Sequence, residues 1–453
     1  MKAPELLKKF SKMSLPRYTS YPTAPEWEQW SDGGSKLLDC LSTINKQKRE
    51  LALYIHIPFC VQQCWYCGCN TVIKKQTSHA DNYLNYLFYE IDLLTAQKEP
   101  FKVKQLHIGG GTPNFLTEKQ LQSLMNKVED CFDVDWEGEF SVEVDPRTCT
   151  VDKLENFRRN GFNRVSMGIQ DFNPEVQRAI NRIQPYEKVE QLVLAARELE
   201  FKSVNFDLVY GLPHQTEERF KETLRKTLQL KPDRLALYSF AYLPQVKPHM
   251  KLIKPDTLPQ ASDKLNLFLD AYEVFTENGY AEIAMDHFAL EDDELSVAMK
   301  EGRLHRNFMG YTVQDVGNSL GLGVTSISYI DNTYVQNTKN LNDYYASLDN
   351  DKLPVKRGLC LNKDDRIRKW VIAELMCNMR LSKKRFQRRF SLDFDTYFTD
   401  EQAHLNDCVK QGLISNSERC IIVKDEGKLV VRFISSGFDS YLSKNKRLFS
   451  SLV

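Results

Sequence analysis

Cys60-Val-Gln-Gln-Cys64-Trp-Tyr-Cys67-Gly-Cys69 puts four cysteines into ten residues, just after the apolar run Leu51-Ala-Leu-Tyr-Ile-His-Ile57. The first three have the spacing C-x3-C-x2-C. Gaps this short let one loop fold its thiolates around a compact metal centre. Three thiolates can hold a 4Fe-4S cluster and leave one iron open. An open iron can chelate the amino and carboxylate groups of S-adenosylmethionine. An electron from the cluster then breaks a carbon–sulfur bond and yields a 5′-deoxyadenosyl radical, while the protein orients and shields the cofactor. A lone Cys-x-x-Cys also reads as a redox dithiol or half a zinc knuckle. Structural zinc, however, usually draws two Cys pairs from separated segments. No second close pair exists here: Cys40, Cys131, Cys149, Cys360, Cys377, Cys408 and Cys420 are scattered.

Outward from this loop, strand and helix signals alternate. Leu51–Ile57 reads as a strand, and His79–Gln97 has helical periodicity. Val103–Ile108 is a second strand, followed by Gly109-Gly110-Gly111-Thr112-Pro113 and a helix capped by Thr117. Phe140–Asp145, Asn163–Ile169, Val204–Tyr210 and Arg234–Phe240 read as further strands. Helices are expected from Val151, over Pro174–Leu199, from Glu217 and over Ser262–Asn278. Units of about 30 residues in this order imply parallel βαβ repeats. Six of them predict an α/β fold, a partial (β/α)6 barrel with its chemistry at the carboxyl ends of the strands. The Cys loop, the glycine triplet, Glu143, Gln170 and Asp207 all fall at or near such ends.

The expected organisation is an arm over residues 1–50 and a barrel core over 51–288. A loop-rich connecting region follows over 289–360, then a small, mainly helical, winged-helix-like domain over 361–453. In that last domain Ile421–Lys424 and Lys428–Phe433 read as a hairpin. Within the arm, Pro16-Arg-Tyr-Thr-Ser-Tyr-Pro-Thr-Ala-Pro25 is extended and helix-resistant. It reads as a stiff linker, or as a lid that closes over the barrel mouth with Arg17 holding an anion.

Lys+Arg and Asp+Glu are equal at 61 each among 453 residues. That balance argues against a nucleic-acid binder, which would show a basic excess. The amino-terminal residues lack the apolar segment of a secretory leader, and no apolar run reaches the length of a membrane span. Scattered cysteines suit a reducing, cytoplasmic setting.

The glycine triplet lets a ligand approach the backbone closely. It matches neither a dinucleotide fingerprint nor a Walker loop. Glu143 and Asp145 end an apolar strand, and Asp207 ends another; a cavity-facing carboxylate there can bind an ammonium group or ribose hydroxyls. His56 precedes the Cys loop and is a candidate hydrogen-bond donor to a sulfur. His287 and His305 read at least as readily as satisfied structural histidines as they do as functional ones.

Longer strings narrow the reading. Pro16–Ala24, His56–Cys60, Cys67-Gly-Cys69-Asn70, Glu143–Arg147, Ser166–Asp171, Asp207–Pro213, Met285–Phe288 and Leu304–Thr312 resemble the oxygen-independent coproporphyrinogen III oxidases of the radical S-adenosylmethionine superfamily. The resemblance implies cluster ligation by Cys60, Cys64 and Cys67, with Cys69 a non-ligand. It implies Tyr54, Gly110, Glu143 and Ile327 at a first S-adenosylmethionine, with Tyr54 and Glu143 also catalytic. It implies Tyr66, Gly111, Thr112, Gln170, Arg182, Asp207 and Ala241 at a second. Trp65-Tyr66 stand where family members commonly carry Tyr-Phe. The implied reaction converts two propionates of coproporphyrinogen III to vinyl groups, giving protoporphyrinogen IX. A monomer and an electron donor such as flavodoxin or ferredoxin are implied too. Arg17, Arg147 and Arg306 are candidates for the substrate carboxylates. A haem-binding chaperone-like paralogue and a haem-modifying radical enzyme are the rival readings; the fourth cysteine and the Pro16–Pro25 stretch count against the first, and that stretch with Met285–Phe288 against the second.

Overall fold

Leu51–Ile57 is apolar at almost every position and buried at all but Tyr54. A strand buried on both faces belongs inside a parallel sheet covered by helices. The computed structural model describes residues 9–10, 13–96 and 98–442. The opening residues read for a leader, and Gln97 at the expected end of a helix, lie outside them. The chain divides into two units. One comprises Glu28–Pro259 and Gln314–Cys360; the other comprises Met1–Trp27, Gln260–Val313 and Leu361–Val453.

In the first unit the strands are β1 (Leu51–Ile57), β2 (Phe101–Gly110), β3 (Phe132–Val144), β4 (Arg164–Gln170), β5 (Ser203–Tyr210) and β6 (Arg234–Ser239). Each lies parallel to its predecessor. Helices alternate with them, as the six-unit reading requires. The helix Glu118–Cys131 carries a full capping box, with Thr117 and Gln120 each satisfying the other's backbone N–H.

Two expectations for this unit need correction. Residues 319–360 are not loop-rich. They form β7 (Ser319–Leu322), β8 (Ile327–Ile330), β9 (Thr333–Asn337) and β10 (Val355–Cys360). β7 runs parallel to β1 on the side away from β2. β8, β9 and β10 follow antiparallel, and Glu28–Gln29 closes the edge. β7 and β9 are buried throughout although β9 carries Thr333, Gln336 and Asn337 and β7 opens on Ser319. The buried Glu90 carboxylate anchors them, accepting from Gly323 N at 2.8 Å, Asn337 Nδ2 at 2.6 Å and Tyr344 O–H at 2.7 Å. Burial pushes Glu90 up to about 7.

The second correction concerns Pro174–Leu199, which is two helices, Pro174–Ala179 and Tyr186–Glu198. Pro185 cannot sit inside a helix, and Asn181 takes a left-handed φ of 56°. The break frees Asn181 and Arg182 to turn toward the Cys loop.

The second unit contains an antiparallel pair Tyr280–Ala284 and His287–Leu290, and a hairpin of His305–Asn307 with Gly310–Thr312. Its carboxy-terminal part sets helices against a three-stranded antiparallel sheet of Arg380–Ser382, Cys420–Val423 and Ile414–Asn416. The hairpin is therefore Ile414–Val423, and Val431–Ser436 is helical. The Lys428–Phe433 stretch carries two adjacent β-branched residues, as strands do, but Val430, Val431, Arg432 and Ile434 are all buried, which suits a helix packed on more than one side.

Residues 1–50 are not one arm. Gly33–Lys46 is a helix of the first unit, whereas Pro16–Pro22 is part of the core of the second. Tyr18 donates to Asp439 at 3.1 Å, and Tyr21 lies 3.1 Å from Ser440 Oγ. Arg432 donates to the carbonyls of Leu15 and Pro16. Tyr21 is 2% exposed and meets Tyr441 edge-on. Truncating such an aromatic side chain costs about 3–5 kcal/mol. Tyr21→Ala is therefore expected to lower the denaturation midpoint clearly; an unchanged midpoint in a urea titration would return the stretch to the role of a stiff linker. Among the described residues no helix is long and apolar enough to cross a membrane.

Candidate active site

The Cys loop leaves β1 through a two-residue pairing of Phe59–Cys60 with Val72–Ile73. Side chains from distant parts of the first unit then fasten it. Asn181 Nδ2 donates to Gln63 O at 2.8 Å, and Gln62 donates to Asn181 Oδ1 at 2.7 Å. Lys247 donates to Cys69 O at 2.8 Å. His249 Nε2 lies 2.8 Å from Cys67 O; a carbonyl only accepts, so that nitrogen carries the proton.

The sulfurs meet donors. Cys60 Sγ lies 3.1 Å from Thr112 Oγ1. Cys64 Sγ accepts from Arg147 Nη2 at 3.1 Å and from Arg182 Nη1 at 3.5 Å. A hydrogen bond from Cys69 draws Cys67 down toward the thiolate, whereas burial pushes Cys60 up to about 12. All four are free cysteines. Three thiols on one loop, with positive charge at the most buried of them, are a donor set that fits a three-thiolate iron–sulfur cluster. Arg147, expected as a substrate-binding arginine, is engaged otherwise: it grips Asp145 at 2.7 Å and Cys64. Arg182 binds Asp145 at 3.2 Å and Gly168 O at 2.6 Å. Burial would raise Asp145, but Arg182 and Arg147 outweigh it and hold the carboxyl at about 2.

A second group lies along β1, β2 and β3. Tyr54 stacks on His107 with centroids 5.8 Å apart. His107 Nε2 lies 3.2 Å from Glu143 Oε1, and Gly110 N donates to Glu143 Oε2 at 3.1 Å. Burial alone would raise Glu143; the contacts with His107 and Gly110 more than offset it and hold the group below its ordinary value. His56 does not reach a sulfur as expected. Its Nε2 lies 3.2 Å from Asn70 O and its Nδ1 3.0 Å from Tyr54 O–H. Burial lowers it to about 4, so the ring is neutral: Nε2–H donates to the carbonyl and Nδ1 accepts from Tyr54.

The glycine triplet follows from this crowding. A Cβ on Gly109 would stand 2.9 Å from the Glu143 carboxylate, one on Gly110 2.5 Å from the His56 ring, and one on Gly111 2.7 Å from the Pro58 carbonyl. Gly110 also has a φ of 115°, closed to other residues.

The remaining expected residues are spread around the same sheet. Gln170 ends β4 at a bulge, with a φ of 67°. Asp207 on β5 accepts from Ser166 and Asn205, each at 3.1 Å. Burial and the nearby Glu143 charge push it up to about 6. Tyr66 and Trp65 pack on a cluster that includes Val176, Ile180, Leu212 and Phe240. Ala241 follows β6 and is exposed. Ile327 opens β8, its backbone so close to Gly321 that a Cβ there would meet Ile327 O at 2.5 Å. His287 and His305 belong to the other unit. Sequence reasoning missed His107, Asn181, Lys247 and His249; only His107, a polar residue in the apolar end of its strand between Leu106 and Ile108, carries a local signal.

A loop of three thiols, a glycine-lined approach and a buried carboxylate at the ends of parallel strands define the radical S-adenosylmethionine class, and residues 54–227 match the Radical SAM superfamily. Such a protein uses a 4Fe-4S cluster and S-adenosylmethionine. Residues 361–430 match the HemN C-terminal domain. The chain belongs to the family of oxygen-independent coproporphyrinogen III oxidases. The Synechocystis sp. enzyme of that name is 44% identical over 98% of this chain and 96% of its own. The Escherichia coli enzyme is 42% identical over 98% and 96%. The solved structure of coproporphyrinogen III oxidase (HemN) from Escherichia coli, described as a radical SAM enzyme, superposes with a TM-score of 0.90 at 41% identity, covering 95% of this chain and 100% of that one.

Proposed function

We propose that this chain oxidatively decarboxylates two propionate side chains of coproporphyrinogen III to vinyl groups, giving protoporphyrinogen IX without oxygen. The observation that carries the reading is end-to-end identity above 40% to enzymes of that name, joined to a Cys loop and glycine cradle built for the cofactor. When bound, the cluster and S-adenosylmethionine would supply a 5′-deoxyadenosyl radical to take a hydrogen from the propionate β-carbon, and loss of carbon dioxide and of one electron to an acceptor would then leave the vinyl group.

Cys60, Cys64 and Cys67 hold the cluster, and Cys69 does not. Glu143 receives the positively charged end of a first S-adenosylmethionine against the bare backbone of Gly110, and Tyr54 and Ile327 border it. A second S-adenosylmethionine is bordered by Tyr66, Gly111, Thr112, Gln170, Arg182, Asp207 and Ala241. Arg147 and Arg182 hold the Cys64 sulfur by hydrogen bonds and fix its direction. Apolar packing of Trp65 and Tyr66 keeps water from the loop. The protein works as a cytoplasmic monomer that receives electrons from a carrier such as flavodoxin or ferredoxin.

Anaerobic incubation with coproporphyrinogen III, S-adenosylmethionine and a chemical reductant, followed by chromatography of the oxidised porphyrins, tests the reading. Protoporphyrin and stoichiometric 5′-deoxyadenosine are expected. Porphyrin that binds but emerges unchanged, with no deoxyadenosine, would make the chain a carrier.

A further inference from the structure

In the unit formed by residues 1–27, 260–313 and 361–453, Arg306 and Tyr311 face each other across the hairpin of His305–Asn307 and Gly310–Thr312. Directly opposed residues project from the same face. The Arg306 guanidinium carbon stands 4.9 Å from the Tyr311 ring centroid. Among the described residues its Nη1 reaches only Met285 Sδ, at 3.8 Å, and a thioether is a weak acceptor. Arg306 Nε and the Tyr311 hydroxyl are both buried without a hydrogen-bond partner among the described residues, and Tyr311 is 6% exposed. Buried donors are paired in the great majority of cases, and each one left unmade is costly. Two on one hairpin face call for a shared acceptor.

The surrounding charge says what kind. Arg17 is ion-paired with Asp286, whose other oxygen lies 3.0 Å from His287 Nδ1. His287 in turn meets the Tyr311 ring edge-on at 5.0 Å. Burial, then the charges of Arg306 and Arg17, hold His287 well below its ordinary value, so it stays neutral. The Asp286 carboxylate is taken by Arg17 and His287, and Glu282, whose charge also acts on Tyr311, accepts from the Tyr272 hydroxyl at 2.9 Å. Arg306 keeps a positive charge and a spare N–H; Tyr311 adds an O–H. Planar guanidinium donors match a carboxylate's two oxygens.

We infer that Arg306 and Tyr311, steadied by the Arg17–Asp286–His287 chain, form a carboxylate subsite that takes one propionate of the porphyrinogen. The inference rests on the function proposed above. Arg306 donates to one or both oxygens and sets the charge match. Tyr311 donates one further bond and sets direction. A cation–π pair with a purely structural role would need neither the hydroxyl nor the spare Nε.

Tyr311→Phe separates the two roles, because it keeps the ring under Arg306 and removes only the hydroxyl. The probe is coproporphyrin III, a tetracarboxylate, followed by fluorescence titration of the cluster-loaded protein, with its tetramethyl ester as the uncharged control. Hydrogen bonds to charged groups correspond to affinity changes of about 10- to 150-fold. Arg306→Gln is expected to weaken the acid in that range, Arg306→Lys to restore part of it, and Tyr311→Phe to weaken it about 10-fold. The ester should bind all four proteins alike. Tyr311→Phe should not lower the melting temperature, since it deletes a buried unpaired group. Unchanged affinity for the acid in both Arg306→Gln and Tyr311→Phe, with wild-type turnover intact, would overturn the subsite alone. A wild-type protein that neither binds nor converts the porphyrinogen would overturn the function and the subsite with it.

Discussion

Cys60→Ala, Cys64→Ala and Cys67→Ala proteins purified without oxygen are expected to be colourless and almost free of iron, while Cys69→Ala keeps most of it. The wild-type protein should carry about four irons and four sulfides, as a cuboidal cluster requires. Cys64 is the thiol gripped by two guanidiniums, so its loss leaves Arg147 and Arg182 facing a methyl group and should be the most damaging. Cys69 offers its carbonyl to Lys247 and its thiol to Cys67. Replacing it keeps the first contact and loses the second, so loading should slow without failing. Iron and sulfide assays with visible spectra decide the matter. Equal iron loss in all four variants would point to a four-thiolate site and end the three-ligand scheme.

Glu143→Gln is expected to weaken S-adenosylmethionine binding about 10- to 150-fold, the range for losing a hydrogen bond to a charged group. The substitution preserves shape, so the loss should come from charge. It also disturbs the receptor itself. Glu143 accepts from Gly110 N and contacts His107 Nε2, and an amide can offer only one oxygen to those two groups. Equilibrium dialysis with the cofactor and measurement of 5′-deoxyadenosine would read both effects. Affinity and cleavage at wild-type level would remove Glu143 from the cofactor site, whatever the cysteines do.

The barrel is legible in the sequence because its strands are buried on both faces and read as apolar runs, Leu51–Ile57 most plainly. The Cys loop is legible because its spacing is local. Other parts carry no local signal. Thr333–Asn337 is wholly buried but ends in Gln and Asn, and its polarity is answered by Glu90, far away in sequence. The stretch Pro16–Pro22 looks like a linker because prolines bar helix, and nothing in it reveals that Arg432 and Asp439 are waiting. The break at Asn181–Pro185, readable from the proline alone, goes unnoticed inside an otherwise helical pattern. Lys247 and His249 cannot be read at all, since what they bind is a backbone carbonyl and not a side chain.

Those two residues impose an order of events on the making of the protein. Lys247 and His249 lie 178 and 182 positions after the carbonyls they hold. At a synthesis rate of 5–20 residues per second, roughly 10–35 s separate the appearance of the cysteines from that of their clasp. During that interval the four thiols sit on an unfastened loop, with Arg147 and Arg182 arriving midway. Iron delivered then would meet a chain with nothing to hold the loop's shape, and an oxidant would meet thiols with nothing covering them. Lys247 and His249 can fasten the loop only after the chain has been made past residue 249.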